Sequence, residues 1–129
     1  MAKIFISYSS ADRDFARELA NNLRMLGHIT WMDDEEIRWG ESLINRTQQE
    51  LRSASAVVAL LSDASKSSQW VSFELGAATA LGKKMFPVVL SNDPEVIPFH
   101  MTDIQHIEGK LSEVAAIAKA IHIALEKHV

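Results

Sequence analysis

The run Ala56-Val57-Val58-Ala59-Leu60-Leu61 is apolar at every position. A strand wetted on one face alternates apolar and polar residues. An unbroken apolar run bounded by polar residues is expected of a strand covered on both faces, as in parallel sheets clothed by helices. The neighbouring segments agree. Lys3 to Tyr8 is a short β-rich run, His28 to Met32 a second, Met85 to Leu90 another apolar strand, and Thr102 to Ile107 a weak fifth. Between them the apolar spacing becomes helical. Phe15, Leu19, Leu23 and Leu26 recur on one face and Gly27 ends it; Ile44 and Leu51 suggest a second helix. Ser67-Ser68 opens a third that runs to about Gly82, Asn92-Asp93-Pro94 is a turn, and Leu111, Val114, Ala115, Ala118, Ile121 and Leu125 stripe a C-terminal helix.

Strands alternating with helices imply an α/β fold, a parallel sheet with helices on both faces joined by right-handed crossovers. The 129 residues are read as one domain, 1–129, with 47% hydrophobic and 23% charged residues, ordinary globular composition that folds without a staple. There is no cysteine, which excludes a disulfide framework, a thiolate metal site and a cysteine nucleophile. The net charge of −4, with scattered Lys and Arg, argues against a nucleic-acid partner. No apolar run reaches the roughly 20 residues that span a bilayer. Met1-Ala2-Lys3 leads straight into strand with no signal peptide, so a cytoplasmic location and no membrane partner are expected.

In such folds ligands bind beyond the carboxyl ends of the strands. Three loops gather there: Ser9 to Asp12, Asp33 to Gly40, and Ser62 to Trp70. Glu74 is the most informative residue near them. At roughly 100° per residue, with Trp70 at zero, Phe73 falls at about 300°, Ala77 at about 340°, Leu81 at about 20° and Glu74 at about 40°. A carboxylate inside an apolar stripe is costly unless it is paired or lines a cavity. An acid complementing the helix dipole explains its place in the first turns but not its face.

The other candidates carry plainer readings beside the functional ones. Trp70 is either a core or rim aromatic or a stacking wall for a planar ligand. Ser9 and Ser10 cap the first helix, with Asp12 completing a capping-box pattern, and the same helix start offers N–H groups to a phosphate. Asp33-Asp34-Glu35-Glu36 reads as a solvated acidic loop; no ligand spacing supports a metal site there. There is no GxxxxGK[ST] loop, GxGxxG fingerprint or GxSxG elbow, and His28, His100, His106, His122 and His128 show no metal-ligand spacing.

Taken in order, these segments resemble Toll/interleukin receptor (TIR) domains. Lys3-Ile4-Phe5-Ile6-Ser7-Tyr8-Ser9-Ser10-Ala11-Asp12 resembles their first box; Trp31-Met32-Asp33 and the residues to Gly40 resemble the second strand and its long loop. Ser62 and Ser68-Gln69-Trp70-Val71-Ser72-Phe73-Glu74-Leu75 resemble the serine after the third strand and the helix segment that follows. Pro87 matches the proline of the fourth strand. Asp34 to Gly40 lacks the proline often seen in animal receptor adaptors, which tilts the resemblance toward bacterial-type members.

The resemblance implies a flavodoxin-like sandwich, a five-stranded parallel sheet with helices on both faces. It implies two functions: an assembly module in immune signalling, or an enzyme that cleaves the nicotinamide–ribose bond of NAD in bacterial defence or virulence. In the enzymes a glutamate stands at the position of Glu74 with an aromatic at or near Trp70. On that reading Glu74 is catalytic, Trp70 walls the pocket, and Ser9, Ser10 and Asp33 are secondary pocket residues. NAD is then substrate with no further cofactor and no metal, and TIR–TIR self-association is expected. Trp39 is an assembly contact or a lid. A nucleotide-binding or deoxyribosyl-transfer domain on a similar sheet is a third reading.

Overall fold

The structure, a computed structural model, describes residues 1–32, 40, 42–109 and 113–127. Five parallel strands form one sheet in the order β2-β1-β3-β4-β5. They are β1 (Lys3–Ser7), β2 (Ile29–Trp31), β3 (Ala56–Leu61), β4 (Lys84–Val89) and β5 (Ile107–Glu108). The helices are α1 (Arg13–Met25), α2 (Leu43–Ser53), a four-residue α3 (Asp63–Lys66), α4 (Gln69–Ala80) and α5 (Val114–Glu126). This is the flavodoxin-like α/β order. Asp33, the acidic loop through Glu36, Trp39, Leu111 and His128 lie outside the described residues.

The pleat divides the apolar residues between two cores. Ile4, Ile6, Val58, Leu60 and Val88 pack under α1 and α5 against Leu19, Leu23, Ile117 and Ile121. Phe5, Val57, Ala59 and Leu61 pack on the opposite face against Leu51 of α2 and Val71, Leu75 and Ala78 of α4. All six residues of β3 are buried, as its apolar run requires. Gly27, at φ +94°, ends α1 in the left-handed region that glycine enters without steric cost.

Four expectations change. The fifth strand is not Thr102 to Ile107 but Ile107–Glu108, pairing only with Val88 and Val89. Pro87 supplies a reason. The Leu90 N–H donates to the Leu61 carbonyl at 2.8 Å, so alternate residues of β4 turn their N–H groups toward β3. Pro87 therefore faces the other edge, where it has no N–H to offer. The loop expected from Ser62 to Trp70 also holds the short α3, ahead of the third helix, whose expected opening at Ser67-Ser68 matches α4. Ser62 caps α3 with a capping box to Ser65, and Ser68 caps α4. Ser9 precedes a 3-10 turn, Ser10–Asp12, and its side chain caps nothing; it donates to Asp12 instead. Finally, the buried stripe of α4 is Val71, Glu74, Leu75 and Ala78. Trp70 and Phe73 stand on its shoulder, ring centroids 5.2 Å apart, while Leu81 is exposed. The small Ala78 lets the helix approach the sheet along this rotated line, and Glu74 remains inside it.

Candidate functional site

β1 ends at Ser7, and the chain passes through Tyr8 and Ser9 into the 3-10 turn at the carboxyl edge of the sheet. Alternation along β1 puts Ser7 on the same face as Phe5, toward α4. It is wholly buried, opposite Ala59 in the register with β3. Glu74 is 1% exposed. The Ser7 hydroxyl donates to Glu74 Oε1 at 2.8 Å. Two polar residues that interrupt the apolar rows of their own elements thus meet across the core.

A second hydroxyl–carboxylate cluster stands beside the first. Asp12 Oδ2 accepts from Ser9 Oγ at 3.1 Å and from Ser62 Oγ. The Ser62 oxygen also accepts the Ser65 N–H at 3.1 Å. Ser62 thereby caps α3 while its proton points to Asp12, which ties the loop after β1 to the loop after β3. Farther out, Lys66 donates to Asp93 at 2.9 Å. That hydrogen bond raises the Lys66 pKa above its ordinary value and, with the Glu95 backbone N–H, lowers that of Asp93.

A cleft of about 340 Å³ opens at this edge. Tyr8, Ser9 and Ser10 form one wall with Arg13; Leu43 at the start of α2 and Ser68 and Trp70 at the start of α4 form the other. Ser68 accepts the Val71 N–H at 3.2 Å. Arg13, Leu43, Ser68 and Trp70 bring the starts of α1, α2 and α4 to the cleft, so their dipoles favour an anionic ligand.

The structure therefore brings Ser9, Ser10 and Trp70 together in one cleft. Glu74, one helical turn past Trp70, lies behind that wall rather than in it. Asp33 falls outside the described residues. Sequence reasoning passed over Ser7 and Arg13. Counting by two from Phe5 gives Ser7 its face; that α4 covers this face is what the structure adds. Among the described residues no cluster of three or more His, Asp or Glu side chains is arranged to hold a metal ion. No described helix is long and apolar enough to cross a membrane.

A family model described as TIR domain matches residues 4–121. The chain belongs to the TIR domain family. It is 31% identical over 119 residues to a 2' cyclic ADP-D-ribose synthase of Bacteroides thetaiotaomicron, covering 92% of this chain and 40% of that protein. It is 35% identical over 72 residues to an NAD(+) hydrolase of Escherichia coli, covering 55% of this chain and 24% of that protein. This TIR domain thus spans less than half the length of either relative. Among solved structures, the TIR domain of the Toll-related receptor TRR-2 from Hydra magnipapillata matches with a TM-score of 0.80 at 12% identity, covering 96% of this chain and 97% of that one. That likeness speaks for the fold alone.

Proposed function

We propose that this TIR domain cleaves the nicotinamide–ribose bond of NAD, with Glu74 as the catalytic carboxylate. The observation that carries the proposal is the Glu74 carboxylate itself. It is sunk to 1% exposure in an apolar helix face, held by a serine hydroxyl, one turn from the wall of an anion-favouring cleft. A core carboxylate contributes little to stability and replacing it with an apolar side chain is often neutral or better, so its presence here asks for a task. The two relatives act on NAD or make a cyclic ADP-ribose, which is the chemistry one such acid can serve.

Oxidised nicotinamide is a cationic leaving group. The C–N bond breaks with its electron pair going to the ring nitrogen, so no general acid is needed. The ribosyl centre left behind is oxocarbenium-like, and a preorganised carboxylate stabilises it electrostatically. The paired carboxylates of ordinary glycosidases are then unnecessary. Water adding to the ribosyl carbon and losing a proton gives ADP-ribose; a ribose hydroxyl or adenine nitrogen of the same molecule gives a cyclic isomer. Trp70 offers a face for stacking, Ser9 lines the pocket beside it, and Ser10 with the helix starts offers donors to the pyrophosphate. Asp33 is assigned to the pocket by the family resemblance alone. The ribose reaches Glu74 when the wall formed by Trp70 and the β1 loop shifts, and contact between TIR copies is one source of such a shift. A cytoplasmic role in bacterial defence or virulence accompanies this reading.

The sealed position of Glu74 favours a second reading, a non-catalytic interaction module in which the acid is structural. One assay separates the two. Purified protein, concentrated or crowded to promote assembly, is incubated with NAD beside Glu74→Gln, and products are resolved by chromatography. The enzyme reading expects nicotinamide release from wild type and a loss of at least about a hundredfold in the variant. Intact NAD under assembling conditions, or equal activity in Glu74→Gln, selects the module.

A further inference from the structure

We infer that Ser7 is a positioning residue for Glu74, so the acid's working geometry is set from β1 rather than from the helix that carries it. The inference rests on the NAD-cleaving reading above and adds to it a residue that touches no substrate.

Ser7 is wholly buried and does not line the cleft. Its neighbours on that face of the sheet are Phe5, Val57, Ala59 and Leu61, a row in which an apolar side chain is the ordinary choice. Its hydroxyl proton has a described acceptor, Glu74 Oε1 at 2.8 Å. A glutamate has three side-chain torsions, and one fixed carboxylate oxygen removes most of that freedom. β1 lies inside the sheet, flanked by β2 and β3, so the donor is mounted on a rigid part of the fold. α4 reaches the sheet through the buried side chains Val71, Glu74, Leu75 and Ala78. Small displacements of a catalytic group are costly, and the Ser7 hydrogen bond opposes them.

The test compares wild type, Ser7→Ala, Ser7→Thr and Glu74→Gln with NAD under assembling conditions, at a temperature where circular dichroism shows each variant folded. Ser7→Ala is expected to lower kcat by about tenfold with KM changed by less than about twofold, since the donor acts on the acid and not on bound substrate. Ser7→Thr keeps the hydroxyl and is expected to recover most of kcat. Full kcat in Ser7→Ala while Glu74→Gln is inactive overturns the positioning role and leaves the NAD reading standing. A loss in Ser7→Ala confined to KM, or equal loss in Ser7→Thr and Ser7→Ala, also overturns it. An active Glu74→Gln, or an inert wild type, overturns the NAD reading and this inference with it.

Discussion

The two ends of the sheet handle buried polarity in different ways. At the amino edge, charge meets opposite charge. Lys3 pairs with Glu50 at 2.7 Å, and Arg46 reaches the other Glu50 oxygen at 3.1 Å. Lys83 donates to the carbonyls of Arg52 and Ala54 at 2.7 and 2.9 Å, closing the C-terminal end of α2. Here too His28 accepts the Ala2 N–H at Nδ1 and meets His122 Nδ1 through its Nε2 at 2.8 Å. At the carboxyl edge, beside the cleft, serine hydroxyls donate to carboxylates: Ser7 to Glu74, Ser9 and Ser62 to Asp12, while the Lys66–Asp93 pair stands farther out. A cation–carboxylate pair neutralises both charges and fastens two elements. A hydroxyl fixes a carboxylate in place without neutralising it. The first arrangement suits a seam, the second the seating of a single acid.

The comparison breaks most directly by replacing the Ser7–Glu74 pair. Ser7→Ala alone strips a donor from a buried carboxylate and is expected to destabilise by about 2 kcal/mol in urea unfolding. Ser7→Ala with Glu74→Leu removes donor and acceptor together and is expected to be as stable as wild type, or more so by up to about 3 kcal/mol. A double variant weaker than Ser7→Ala would place the pair among the supports of the fold and erase the contrast.

The histidine contact sharpens the other half. The Ala2 N–H makes Nδ1 of His28 an acceptor, so its proton sits on Nε2 and His122 Nδ1 must accept it. The neutral forms fit and a second proton does not. Burial first, then His122 and the chain's terminal ammonium, lower the His28 pKa from its ordinary 6.5, against an opposing pull from Glu126. The unfolded chain therefore binds protons that the folded one refuses. The His28 contribution to stability is present in full above pH 6.5 and is lost as the pH drops through that value toward the lower folded one. Thermal melts at pH 7.5 and 5.0 should show this loss, and His28→Asn should flatten it; an unchanged slope would remove the contact from the seam. The smallest effect belongs to Lys3→Met. Its ion pair is partly exposed, so a loss below about 1 kcal/mol, shrinking in high salt, is expected from chemical denaturation.

How far each element was legible follows from where its information lies. β3 was read to the residue because a strand covered on both faces writes its burial into every position. β5 was misplaced because its length depends on what β4 offers at its edge, and Pro87 stands twenty residues upstream of it. The short α3 was missed because Ser65 stands where a capping box more often carries Glu or Gln. The stripe of α4 was drawn through its largest apolar side chains, whereas close packing selected Val71, Leu75 and Ala78. Glu74 stayed inside the stripe under either choice, so it stood out from sequence. Ser7 did not, because a serine in a strand is unremarkable until the helix above it is known.

Ser7 and Glu74 are 67 positions apart in the chain. Their contact needs β1, β3 and α4 all in place, and no local turn or hairpin brings it about. A chain emerging from the ribosome holds Ser7 early but cannot complete the pair until α4 has followed and docked. A fragment ending before α4 carries no trace of the seat, and one that has lost β1 carries the glutamate without its serine donor. The hydroxyl–carboxylate contact is therefore also a record of completed folding: whatever the acid does, it does only in a molecule whose first strand and fourth helix have found each other.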